Sequence, residues 1–155
     1  MYLLFDIFFI AALLRHCYTD IKNLLLYDWL TVCIAVMGLI RIFTVASMEI
    51  KNSVWGFFVM LFIMLLIYFC SNRGRGEGDI KLAAALGIWL GVEHGLVCLL
   101  LAFIGGGIFG GLWLLLGKGR LHKAIPFGPF LCIGAFTAYF WGQQLINWYW
   151  RFMLL

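Results

Sequence analysis

Long apolar runs separated by short polar ones set the pattern of this chain. Tyr2 to Tyr18 form the first run, Trp29 to Ala46 the second and Val54 to Cys70 the third. Ile80 to Val92 form a short fourth, ended by Glu93-His94-Gly95. Leu96 to Leu116 and Phe127 to Trp148 are the fifth and sixth. A helix crosses the hydrocarbon core in about 20 residues, and a shorter one crosses where the bilayer thins. A barrel strand needs only about ten and alternates polar with apolar. These runs are longer and apolar all round. They predict an all-α integral membrane protein, a bundle of about six transmembrane helices. With only short polar runs between spans, residues 1–155 read as a single membrane-embedded domain. The first run has no basic stretch before it and no small-residue cleavage site after it, so it reads as a retained span.

Charge gives the bundle a direction, because lysine and arginine collect in cytoplasmic loops. One set of loops holds Arg15, Lys22, Arg73, Arg75, Lys81, Lys118, Arg120 and Lys123; the other holds only Arg41, Lys51 and Arg151. The first set is assigned to the cytoplasm, and six spans then place both termini outside. Composition removes some function classes. The chain is 65% hydrophobic and 12% charged, far from the even mixture of a soluble domain. Its net charge of +4 is spread over loops rather than along one face, so no nucleic acid is expected as a partner. Cys17, Cys33, Cys70, Cys98 and Cys132 form no CxxC pair and read as small buried hydrophobes. His16, His94 and His122 do not share a helix face as ligands, and no metal is expected.

Asp20 and Asp79 are the candidate chemistry. Asp20 follows the first span. Asp79 opens the fourth, inside Gly74-Arg75-Gly76-Glu77-Gly78-Asp79-Ile80-Lys81. Taken singly, Asp20 reads as an interfacial carboxylate and Asp79 as a helix cap. Both fall on the cytoplasmic side at one depth. A carboxylate beside a membrane-length helix is costly without a partner or a task. Two carboxylates sharing a site cannot both ionise easily, so one keeps a proton. That suits amide hydrolysis: the ionised group takes a proton from water and the protonated one hydrogen-bonds the scissile carbonyl. Gly76 and Gly78 would let the backbone bend and a substrate strand lie close. Lys81 either stabilises the charged form of Asp79 or faces lipid headgroups.

Other residues have two readings each. Asp6 and Arg41 reach similar depths near the outer face, as an ion pair or as separately snorkelling charges. Gly106/Gly110 and Gly107/Gly111 are spaced for close helix packing, or to leave room for a substrate helix. Trp55, Trp113, Trp148 and Trp150 sit near span ends, as interface anchors do.

Gly76-Glu77-Gly78-Asp79 fits the GxGD signature of membrane-embedded aspartyl proteases. The longer run from Gly74 to Gly87 resembles the GMGxGDxKLxAxLG run of bacterial type IV prepilin peptidases. Pro126-Phe127-Gly128-Pro129-Phe130-Leu131 resembles that family's PFGPFL motif before its last helix. Asp20 sits where the family carries its first catalytic aspartate. The resemblance implies an aspartic-type endopeptidase of the bacterial inner membrane, with both termini periplasmic. It would cleave the basic leader of type IV prepilins or type II secretion pseudopilins on the cytoplasmic side. Asp20 and Asp79 would be catalytic and Gly76 and Gly78 would shape the loop; Glu77 reads either as attracting the leader or as a solvated loop carboxylate. Partners would be that substrate and lipid. The family's CxxC-bearing region between the first spans has no counterpart among the roughly ten residues here, which argues against methyl transfer. S-adenosylmethionine is expected as a cofactor only if that activity is retained. Arg75 stands where the family has Met and points to altered substrate choice. Two other readings remain: an inactive homologue that assists pilus or secretion assembly, and a small ion-coupled carrier.

Overall fold

The computed structural model of the chain describes residues 2–44, 50–70, 76–116 and 126–153. They form five helices: α1 (Tyr2–Asn23), α2 (Asp28–Thr44), α3 (Ile50–Cys70), α4 (Glu77–Leu115) and α5 (Gly128–Met153). The all-α class predicted from the apolar runs is the one found. Among the described residues, α3 and α4 are long and apolar enough to cross a membrane by length and composition.

The count differs from the six expected, because the fourth and fifth runs are one helix. α4 is not straight. Gly91 lies within it at φ 71° and ψ −170°, a region essentially closed to residues with a Cβ. A straight helix would put Asp79 and Gly106 about 40 Å apart, at 1.5 Å for each residue. Both instead lie beside Phe127. That residue lines a cavity with Asp79, and its ring is 3.4 Å from where a Cβ on Gly106 would stand. The chain therefore doubles back at Gly91, with residues 77–90 as one limb and 92–115 as the other. The expected stop at Glu93-His94-Gly95 lies inside the second limb. Glu93 falls in that limb's first turn, where a carboxylate suits the helix N-terminus and needs no loop.

A helix break frees backbone groups that must find partners. The Val92 N–H donates to Asn52 Oδ1 at 3.1 Å, and Arg41 Nη1 donates to the Trp89 carbonyl at 3.3 Å. α3 and α2 thus close the corner. Arg41 also lies 5.3 Å from the Trp89 ring centre and 5.2 Å from that of Tyr139. The Tyr139 hydroxyl donates to Asp6. Asp6 and Arg41 are thus each held by Tyr139 near that end of the bundle.

The first limb is the centre of the bundle. From Ile80 to Gly91 every residue except Lys81 is buried, as expected of a helix apolar on all sides. α2, α3 and α5 pack on α4. α1 reaches it through Phe9, stacked on Trp89 at 4.5 Å. Trp89 Nε1 donates to the Ile34 carbonyl of α2 at 2.6 Å. α3 comes closest: a Cβ on Gly56 would stand 2.7 Å from the Gly91 carbonyl carbon. The outer helices bury single stripes. Leu30, Ile34, Gly38 and Ile42 recur every fourth residue on α2. On α1, Phe5, Phe9, Ala12, His16 and Asp20 are buried, so the stripe ends on a carboxylate. In the second limb of α4, Gly106 packs on α5, while Gly107 and Gly111 meet nothing within 4 Å among the described residues. Trp55, Trp148 and Trp150 are exposed, as interface anchors would be.

Candidate active site

α1 runs past the end of its apolar stretch to Asn23 and so carries Asp20 in its last turns. The side chain points inward and only 6% of the residue is exposed. Its Oδ2 accepts the Gly128 N–H at 2.9 Å. Gly128 is the first residue of α5, so this N–H has no acceptor within its own helix. The carboxylate therefore closes the N-terminus of a 26-residue helix, where negative charge is favoured. A Cβ at position 128 would stand 2.5 Å from Asp20 Oδ2, so only glycine leaves room for the bond. Burial pushes the Asp20 carboxyl above the ordinary carboxylate value, and the Gly128 hydrogen bond pulls it partly back.

Asp79 comes from the opposite direction, in the first turn of α4. Its Oδ1 is buried and accepts no hydrogen bond among the described residues. Asp79 and Asp20 line one cavity of about 540 Å³. The reversal between α1 and α2 covers this cavity with Leu24, Leu25 and Leu26, and Pro126 and Phe127 close its far side. Leu24 takes φ 53°, a left-handed conformation costing roughly 1–2 kcal/mol for an L-residue. Its N–H bonds the Asp20 carbonyl at 2.9 Å, which fixes where the chain leaves α1.

The other expected residues are distributed around this pair. Gly76 precedes α4 with φ −175°, an extended value open to any residue. Gly78 is already helical, and a Cβ there would stand 3.0 Å from Leu26 Cβ. Its smallness serves the packing of the cavity's leucine cover. Glu77 lines the cavity and accepts from the Tyr68 hydroxyl at 3.5 Å. Lys81 pairs with Asp28 at 2.7 Å rather than with Asp79. Both partners are more than half exposed, at 54% and 66%, so the pair contributes at most about 1 kcal/mol. Gly74 and Arg75 lie outside the described residues. Cys98 and Cys132 are buried, Cys17 and Cys33 half-buried and Cys70 exposed. No group of three His, Cys, Asp or Glu that could hold a metal occurs among the described residues.

Sequence reasoning missed Gly128 and Asp28 as parts of the site. The first was within the quoted Phe127-Gly128-Pro129 run, but nothing in that run names Asp20 as its partner. The second pairs with Lys81, a partnership that no local spacing reveals.

An all-α bundle that brings buried Asp20 and half-buried Asp79 to one end, at the N-termini of α5 and α4, defines a membrane protein with a paired-carboxylate site. The pattern of the type IV leader peptidase family matches residues 7–111, and the chain belongs to that family. A prepilin leader peptidase/N-methyltransferase of Legionella pneumophila is 36% identical over 152 residues, which is 95% of this chain and 53% of that protein. The protein of the same description from Xanthomonas campestris pv. campestris is 34% identical, over 86% of this chain and 48% of its own length. That of Pseudomonas aeruginosa is 31% identical, over 91% and 50%. The chain thus spans about half the length of the curated relatives it matches. No solved structure matches it significantly. Membership of this family and the apolar helices make it an inner membrane protein.

Proposed function

We propose that the chain is a membrane aspartyl endopeptidase that removes the leader of type IV prepilins or type II secretion pseudopilins at the cytoplasmic face. The observation that carries this reading is the meeting of Asp20 and Asp79 in one cavity at one end of the bundle. Asp20, held by the Gly128 N–H and the α5 N-terminus, is suited to be the ionised partner. It takes a proton from the attacking water. Asp79, with a buried oxygen that has no hydrogen-bond partner among the described residues, is suited to hold the shared proton. It donates to the scissile carbonyl and stabilises the charge that develops there. The pair titrates as a unit, so the two roles belong to the site rather than to fixed protons. Glu77 and Asp28 at the cavity rim suit a basic leader. The termini then lie in the periplasm.

The carrier reading would need Asp6 or Arg41 to act on an ion's path. Both are engaged at the outer corner by Tyr139 and Trp89, far from the carboxylate pair. N-methyl transfer is part of the relatives' description, and none of the residues described above is assigned to S-adenosylmethionine. The test is a cleavage assay in membranes, with a prepilin or pseudopilin as substrate. Wild type should release the leader. Asp20→Asn and Asp79→Asn should each lose activity roughly a thousandfold or more while still inserting. Full cleavage by either variant overturns the proposal. An uncut substrate with wild type supports the assembly-factor reading instead.

A further inference from the structure

α2 and α3 follow one another in the chain and both pack on the first limb of α4, yet they make hardly any contact with each other. The gap between them is a groove floored by α4. Its cytoplasmic half is a hollow of about 380 Å³ whose walls are Val32, Ala35, Phe57 and Leu61, with Ala84 and Ala85 beneath. Its outer half is a hollow of about 260 Å³ between Leu39, Ile50 and Ile88. Phe57 lines both, so the two hollows adjoin at that side chain. At the cytoplasmic end, Asp28 and Lys81 line the groove and also the cavity of Asp20 and Asp79. From Asp28 to Phe43 the groove follows α2 for 15 residues, about 22 Å.

This shape changes character at a definite point. Beyond Asp28 and Lys81 it is polar and acidic; before them it is apolar and runs through the depth of the membrane. Alanines in its floor let a helix backbone come close, as small residues do between helices in lipid. A chain with a polar, basic segment followed at once by an apolar helix fits both parts together. From this adjacency we infer that the α2–α3 groove holds the transmembrane helix of the substrate and so sets the bond presented to Asp20 and Asp79. This rests on the proteolytic reading above and adds where the substrate's apolar part binds. The Lys81–Asp28 pair is then a threshold between the two parts. A basic residue of the leader can replace Lys81 on Asp28 as the substrate slides in from the bilayer.

The test places a photo-crosslinking residue at position 32 of the full chain carrying Asp79→Asn, in bilayer vesicles. Val32 is 58% exposed and takes no part in the chemistry. Position 133 on α5, where Ile133 is 60% exposed to the surroundings, is the comparison. The probe is a synthetic peptide with a basic leader, a glycine and about 20 apolar residues. Adducts with the peptide at position 32 and few at 133 are expected. In parallel, Val32→Trp with the dyad intact should raise KM for this peptide about tenfold while kcat stays within about threefold. Adducts only with lipid at position 32, equal adducts at 133, or an unchanged KM for Val32→Trp would overturn the groove. Cleavage by wild type without adducts at 32 sinks the groove and leaves the protease. Adducts at 32 without cleavage sink the protease and keep the groove.

Discussion

At the scale of single residues, the site depends on bonds that join distant parts of the chain. Asp79 was legible because its glycine-rich surroundings mark it. Asp20 was legible because it shares a depth with Asp79. The bond from Gly128 to Asp20 was not, since a backbone N–H leaves no signature in sequence. The partner of Lys81 was misread for a simple reason. Residues two apart on a helix do not face each other, so Lys81 turns away from Asp79 and reaches Asp28. Gly128→Ala brings a methyl group 2.5 Å from Asp20 Oδ2. It should lower kcat by about ten- to a hundredfold, since a misplaced catalytic group costs this much. Thermal unfolding in detergent should show the variant still folded. Burial lifts Asp20 above the ordinary carboxylate value. The ionised form of a raised acid is lost at higher pH than usual. The acid limb of the kcat/KM profile should therefore lie above pH ~4, where a free aspartate would put it. An alkaline limb should follow as the pair gives up its remaining proton. Activity that rises steadily to high pH would contradict the shared proton.

At the scale of elements, the number and length of apolar runs gave the bundle, but not how two of them connect. Glu93-His94-Gly95 has the composition of a loop. The turn is made instead by Gly91, with help from Asn52 and Arg41 on other helices, and no local pattern could name those two. Arg41 was read as pairing with Asp6 or snorkelling by itself; its reach to the Trp89 carbonyl follows from a break that the sequence did not reveal. Gly91→Ala forces a Cβ into a backbone region reserved for glycine and within 2.5 Å of the Asn52 side chain. It should destabilise the bundle by roughly 1–3 kcal/mol, measured by denaturant titration in mixed micelles. Asn52→Ala leaves the Val92 N–H without its acceptor and should cost about 1 kcal/mol. If Gly91→Ala were neutral, α4 would not turn there.

At the scale of the whole molecule, the paired aspartates, the leucine cover and the acidic rim all lie at one end, and the Asp6–Tyr139–Arg41 cluster at the other. In the orientation proposed above from the excess of basic loops, the first end faces the cytoplasm. Cys70, exposed at the end of α3, lies toward that same end. A membrane-impermeant thiol reagent should label it in inverted vesicles and leave it unlabelled in intact spheroplasts; the reverse would invert the topology. The account stands most on Asp20 and Asp79 acting as one unit. The direct measurement is kcat/KM for Asp20→Asn, Asp79→Asn and the double variant on one prepilin. Groups that act together do not add their losses. The double variant should therefore be no slower than the slower single one. Losses that multiply, or a single variant close to wild type, would contradict it.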